Sequence, residues 1–262
     1  MAAMTSSADV SPPGFVRLAG HPVRWKLLCE LGRSDLAVRE LCALIGRPQS
    51  LVSYHLRRLR DQGLVTTRRS SADGRDTYYS LDVARCATLL ATSGSALHGG
   101  LRLVPAPLSV HRTGATRARL LFLCTGNSAR SQMAQAFAEK LSDGGVDVVS
   151  AGSDPKPMHP NAVRAMHEHG IDIADRQSKS LDDFIGEHWD YIVTLCDRVR
   201  EVCPEFPARP DLIHWSIPDP SRAGGTDAAS YPAFQRTAME LATRIPFLLE
   251  QIEHTETTEE AI

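Results

Sequence analysis

The sequence predicts two domains of different class. A mainly α N-terminal half ends in a β-ribbon, and a C-terminal α/β half is built on a four-stranded parallel sheet. Three observations predict this. Net charge is −2, but residues 1–110 hold 14 Lys+Arg against 8 Asp+Glu, and residues 111–262 hold 15 against 23, so a basic half is joined to an acidic one. The segment 99–117, GGLRLVPAPLSVHRTGATR, is rich in Gly, Pro and small polar residues and has no helical period. On its two sides the patterning changes, from helices stopped by glycines to strands alternating with helices. The boundaries expected are a disordered tail over 1–14, a first domain over 15–98, a linker over 99–117, a second domain over 118–254 and a frayed tail over 255–262.

In the basic half, Pro22 to Leu31 reads as a short helix with Val23, Leu27 and Leu28 on one face, stopped by Gly32. Val38 to Ile45 reads as a second, stopped by Gly46. Pro48 sits where a first-turn proline belongs, and a third helix runs to about Gln62. On it Val52, Leu56 and Leu59 face the core, while Ser50, Ser53, Tyr54 and Arg57 share another face. Two alternating segments, Leu64–Arg69 and Thr77–Leu81, flank SSADGRD, whose Asp73-Gly74 pair is a hairpin signal.

Two helices joined by a short turn and followed by a β-ribbon describe a winged helix-turn-helix. The third helix would then enter the major groove, with Gln49, Ser50, Ser53, Tyr54 and Arg57 at the DNA. Arg58, Arg60, Arg68, Arg69 and the wing residue Arg75 would add phosphate and groove contacts. The stretch RELCALIGRPQSLVSYHLRRLRDQGLV resembles the ArsR/SmtB family of winged-helix repressors, over roughly residues 15–95. The resemblance implies operator DNA as partner and a homodimer formed through this domain. Founding arsenic repressors of that family carry a C-x-C pair where ELCALIG has Cys42 and Leu44. Metalloid sensing would therefore need Cys42 together with Cys29 and Cys86, across a dimer; the alternative is that all three are buried apolar cysteines.

The second half is organised around residues 119–139, RLLFLCTGNSARSQMAQAFAE. An apolar run reads as a buried strand ending at Cys124. Thr125, Gly126, Asn127, Ser128 and Ala129 form a polar turn, and Arg130 and Ser131 open a helix with Met133, Ala134, Phe137 and Leu141 inward. A loop entering a helix turns its N–H groups inward and makes an anion cradle, to which the helix dipole adds partial positive charge. A cysteine at its floor is favoured as thiolate, a nucleophile. Arg130 offers a planar fork for two oxygens of a tetrahedral oxyanion, and Ser131 a hydrogen bond to the sulfur. Further strands are expected at Val146–Ser150, Asp190–Leu195 and Leu212–Ile217. Helices are expected at Asn161–His169 and Tyr231–Ile252, the last kinked by Pro246.

CTGNSARS resembles the phosphate-binding loop of the low-molecular-weight tyrosine phosphatase fold, and above all the thioredoxin-coupled arsenate reductases built on it. The resemblance implies arsenate as substrate, arsenite as product, Cys124 as nucleophile and Arg130 as oxyanion clamp. Many of these reductases carry another cysteine where this chain has Ala129. LCDRVREVCP places Cys196 and Cys203 seven apart, matching the family's relay pair, and Ile217-Pro218-Asp219-Pro220 supplies Asp219 as general acid. Cys196 would attack Cys124 and Cys203 would carry the disulfide outward to thioredoxin or a similar dithiol protein. No tightly bound cofactor and no metal is expected. The family's monovalent-cation positions read here as Gln135 and Lys179, so that site is expected to be missing.

No apolar run approaches the ~18 residues of a membrane span, and MAAMTSSADVSPPG lacks the form of a secretory signal, so the chain is expected in the cytoplasm. Six cysteines in such a chain point to catalysis or metal binding before structural disulfides. Two rival readings stay open on the sequence: a tyrosine phosphatase with a DNA-binding arm, and a transcriptional regulator whose second domain binds an oxyanion without turnover.

Overall fold

The computed structural model describes residues 11–72, 74–101, 117–207 and 209–259. Residues 1–10, Asp73, most of the expected linker (102–116), Ala208 and 260–262 lie outside them. The basic half runs α1 (Gly14–Ala19), α2 (Pro22–Arg33), β1 (Leu36–Ala37), α3 (Val38–Ile45), α4 (Gln49–Asp61), β2 (Val65–Arg69), β3 (Thr77–Leu81) and α5 (Val83–Leu97). Gly46 closes α3 in the left-handed conformation that a residue without Cβ adopts cheaply, and its N–H caps Cys42. Leu27, Leu31, Leu41, Val52, Leu56 and Leu59 are fully or almost fully buried together, so the apolar faces read from the periodicity form one core. β2 and β3 pair antiparallel from Val65↔Leu81 to Arg69↔Thr77, which is the expected hairpin, and β1 adds a short third strand beside β3.

Two helices here were not expected. α1 begins at Gly14, inside the span read as tail. α5 starts from an Asp82 side chain that accepts the Arg85 N–H at 2.9 Å.

The acidic half runs β4 (Ala118–Cys124), α6 (Arg130–Ser142), β5 (Val146–Gly152), α7 (Pro160–Glu168), β6 (Tyr191–Thr194), α8 (Asp197–Val202), β7 (Asp211–His214) and α9 (Asp227–Glu259). All pairings are parallel and the strand order is β5-β4-β6-β7. β4 is central and almost wholly buried, so its apolar run needs no alternation. β7 stops at His214, not Ile217, because the following backbone turns away to bond elsewhere: the Ser216 N–H donates to Asp35 at 2.8 Å. α9 contains Pro232 and Pro246 and continues to Glu259, seven residues past the expected end and into the span read as tail.

The halves touch through a polar seam. Asp35, fully buried, accepts from Arg244, and its own N–H donates to the His214 carbonyl at 2.7 Å. Arg68 donates to the Ser216 carbonyl at 2.9 Å and to Glu240 at 2.6 Å. It is thus committed to the seam and is not the groove contact expected of it.

Candidate active site

β4 delivers Cys124 to the C-terminal edge of the sheet, the edge on which a doubly wound sheet builds its site. The chain then turns through Thr125–Ala129 into α6. Asn127 makes the turn possible, with φ +43, and its N–H donates to the Cys124 Sγ at 3.2 Å. Ser131 Oγ lies 3.0 Å from the same sulfur. The loop sits directly on Gly152 at the end of β5. A Cβ there would come within 2.6 Å of the Thr125 carbonyl oxygen and 2.8 Å of the Asn127 nitrogen, so only glycine lets strand and loop approach this closely.

Beneath the loop runs a buried polar chain. Asn127 Nδ2 donates to Ser131 Oγ at 2.8 Å and to Ser150 Oγ at 2.9 Å, and Ser150 donates to Gln135 Oε1 at 2.7 Å. Asn127 Oδ1 accepts from Gln132 and from the Lys179 backbone N–H. Asn127 and Ser131 are completely buried and do not face the cavity. They hold the loop from below, whereas Thr125, Gly126, Ser128 and Ala129 line it. Gln135 and Lys179, the positions expected to lack a cation, are both tied into this chain. Burial, then the nearby Arg176, pulls the Lys179 ammonium pKa down.

Above the loop lies a cavity of about 540 Å³. Arg130 is almost fully buried on its wall. One nitrogen donates to the Ile217 carbonyl at 3.0 Å, and another pairs with Asp219 at 3.2 Å. Burial works against the guanidinium charge, yet Cys124, Cys196 and Asp219 together hold its pKa above the usual value. Burial likewise works against the Asp219 carboxylate, but Arg130 beside it and hydrogen bonds from Ser221 keep its pKa below the usual range. Cys124, Arg130 and Asp219, the residues expected to act as nucleophile, clamp and acid, thus share one cavity.

Cys196 follows β6 on the strand next to Cys124, opens onto the same cavity, and sits 3.4 Å from Thr125 Oγ1. Cys203 is set apart from it. It lies beyond α8, packs against the core and does not line the cavity; burial raises its thiol pKa. All six cysteines are free. Asp197, the first residue of α8, is buried and bonded to His214 Nε2 at 3.1 Å and to the Ser71 N–H at 2.5 Å. Burial opposes its charge, but the bonds from His214, Ser71 and Ser216 hold its pKa at about 2.

Asp197, Lys156, His159, Arg198 and Arg222 were missed in the sequence. The last four line the cavity with Ser71. A weak signal existed for Asp197, since it adjoins a strand-end cysteine. None existed for Ser71, which comes from the other half of the chain.

Of the expected DNA-facing residues, Gln49, Ser50, Tyr54, Arg57 and Arg75 are exposed and Ser53 is half-buried. All but Arg75 lie on α4. Cys29 is exposed, while Cys42 and Cys86 are half-buried against the N-terminal core, and burial lifts the Cys86 thiol to about 11. Among the described residues no three His, Cys, Asp or Glu side chains gather to hold a metal ion, so the three cysteines do not meet within one chain.

An α/β domain with a Cys-x5-Arg loop at a strand end, behind a winged helix, defines the class. Two family models match it: low molecular weight phosphotyrosine protein phosphatase over residues 119–258, and bacterial regulatory protein, arsR family, over residues 21–67. The chain belongs to the first family, with an arsR-type segment ahead of it. Relatives include arsenate reductases of Halalkalibacterium halodurans, 42% identical over 126 residues, and of Bacillus subtilis, 41% identical over 126. Each alignment spans 48% of this chain and 91% of the relative. Solved structures matched include an arsenate reductase in the phosphate binding state, at 29% identity and TM-score 0.42, covering 52% of this chain and 98% of that one.

Proposed function

We propose that this chain is a fused repressor and arsenate reductase of arsenic resistance. The carrying observation is that Cys124 ends β4, Cys196 lies two residues past the neighbouring strand β6, and both open, with Arg130, onto one cavity. Cys124 sulfur attacks arsenic. The incoming oxyanion takes Arg130 from Asp219; the freed Asp219 carboxylate takes up a proton from solvent and passes it to the departing oxygen, which leaves as water. Cys196 then attacks the Cys124 sulfur, the sulfur–arsenic bond breaks, and its electron pair stays with arsenic as arsenite. Cys203 attacks Cys196, releasing Cys124 as thiolate, and the Cys196–Cys203 disulfide is reduced by thioredoxin or a similar dithiol protein. The half-buried position of Cys203 fits a last step that follows a rearrangement of α8.

The basic half is read as the operator-binding part, with α4 in the major groove and Gln49, Ser50, Ser53, Tyr54, Arg57 and Arg75 at the DNA, working as a homodimer. Arsenite sensing by Cys42 with Cys29 and Cys86 would require thiols from two chains. No helix among the described residues is long and apolar enough to cross a membrane, which agrees with work on DNA in the cytoplasm.

The test is arsenate turnover with and without thioredoxin, set beside aryl-phosphate hydrolysis. Thioredoxin-dependent arsenite formation is expected. Aryl-phosphate turnover with no arsenite formed would favour a phosphatase, which needs Cys124, Arg130 and Asp219 but neither Cys196 nor Cys203. Tight oxyanion binding with neither product would favour a non-catalytic regulator.

A further inference from the structure

The wing of the DNA-binding half reaches the reductase cavity. Ser71, in the turn between β2 and β3, is one of the cavity's lining residues. Its N–H and Oγ both donate to the same Asp197 oxygen, at 2.5 and 2.9 Å. Three residues further along α8, Arg200 donates to Glu40 of α3 at 2.5 Å and lies 5.3 Å from the ring centre of Tyr78 on β3. Both ends of α8 are therefore held by the other half of the chain, and α8 is the segment between Cys196 and Cys203.

That segment must change if those two cysteines are to join. Across a helix at 1.5 Å per residue, positions seven apart are separated by about 10 Å. A disulfide needs Cα atoms about 4.4–6.8 Å apart. Closing the bond therefore unwinds α8, and unwinding moves Asp197 and Arg200 away from Ser71 and Glu40. The Asp197 carboxylate is held by partners from both halves, His214 as well as Ser71, so its displacement is felt on both sides.

We propose that Ser71 and Glu40 are positioning residues of the relay. They hold α8 helical in the dithiol form, so that forming the Cys196–Cys203 disulfide releases the wing, and releasing the wing favours the disulfide. The inference rests on the relay reading. Linkage makes the two effects equal in size, since whatever energy the contacts lend to the helical form is lost on oxidation. In the step concerned, Cys203 sulfur bonds to Cys196 sulfur as the Cys124–Cys196 bond breaks. Cys203 loses its proton and Cys124 leaves with the electron pair. A dithiol protein later returns two electrons and two protons. A relay at work would thus loosen the wing once per turnover, tying the state of the reductase to the half that carries α4.

The test is a redox titration of the full-length chain carrying Cys124→Ser, equilibrated across glutathione poises. The Cys196–Cys203 disulfide is quantified by alkylation and mass mapping. With Ser71→Ala and Glu40→Gln together, the disulfide equilibrium should shift toward oxidation by about tenfold, as expected for lost hydrogen bonds to charged groups. Ser71→Thr, which keeps the hydroxyl and the N–H, should restore most of the wild-type midpoint when Glu40 is intact. Hydrogen exchange of peptides spanning 65–81 needs no wing variant, and should be faster in the oxidised chain than in the reduced one. A disulfide that forms with an unshifted midpoint, or identical exchange over 65–81 in both forms, would overturn the coupling and leave the reductase reading standing. Absence of any Cys196–Cys203 disulfide at every poise would overturn both.

Discussion

At the scale of single residues the site is defined by what surrounds one sulfur. Cys124 has two donors within reach, the Asn127 N–H and Ser131 Oγ, and one cation, Arg130, on its open side. Cys124→Ser should abolish arsenite formation, measured as product per enzyme, and leave operator binding intact, since α4 lies on the other half. Ser131→Ala removes a hydroxyl 3.0 Å from the sulfur, which must carry charge when it attacks. A loss of about 1.5–3 kcal/mol of stabilisation would slow the first chemical step roughly 10- to 150-fold, read as single-turnover arsenite formation.

Asp219 is the subtler case. It is paired with Arg130, and its carboxyl pKa is held below the ordinary range. A lowered pKa in the folded chain means that the pair's stability is present above the unfolded value of about 4. That stability is lost as pH falls through the lower folded value. Near neutral pH the oxyanion therefore competes with Asp219 for Arg130. Asp219→Asn should weaken that competition: inorganic phosphate should inhibit at lower concentration than in wild type, while arsenate turnover falls because the proton donor is gone. Weaker phosphate inhibition in this variant would mean that the pair helps to bind the oxyanion.

At the scale of elements, the proposed chemistry rests on α8 and the β4–α6 turn, and they were not equally legible. The turn could be read because an apolar run, a cysteine and an arginine in helical register fix strand, loop and helix independently of the rest. Cys196 was legible for the same reason, being at a strand end. α8 was not, because six residues carry too little periodicity. α5 was missed because LLATSGSAL mixes Gly, Ser and Thr into its turns and hides the apolar spacing; the Asp82 cap was its one local signal. β7 was drawn too long because LIHWSI stays apolar after the pairing stops, the later residues being buried under α9 and against the other half. Gly152 could be read only as a strand-end glycine; the loop that makes it necessary lies 26 residues earlier.

The relay gives this scale its prediction. Cys203→Ser should allow one arsenite per enzyme to be released and then stop, because the Cys124–Cys196 disulfide would have no internal thiol to resolve it. Quantifying arsenite against enzyme in the presence of thioredoxin checks this, and sustained turnover would remove Cys203 from the scheme.

At the scale of the whole molecule, none of the seam could be foreseen. Asp35 and Arg244 are 209 residues apart and belong to halves of opposite net charge, which announced two domains but not their contact. Arg68 belongs to the same surprise: its place on the ribbon made it a groove contact, and Glu240 claims it instead. This separates three arginines that the sequence treats alike. Arg57 is exposed on α4, Arg75 is exposed on the wing, and Arg68 is held in the seam. A base contact by Arg57 would carry about 1–3 kcal/mol of discrimination, whereas a phosphate contact by Arg75 would carry about one unit of salt slope. Arg57→Ala should therefore flatten the preference for operator over random duplex, and Arg75→Ala should weaken binding to both alike while lowering the slope. Arg68→Ala should leave the salt slope unchanged, because its charge is already spent on Glu240, and should instead lower the urea midpoint through the lost seam contacts. Affinities for operator and random duplex over a range of salt concentrations, with urea unfolding of each variant, decide the assignment. A unit fall in salt slope for Arg68→Ala would place that side chain on DNA and require the seam to open when the operator binds.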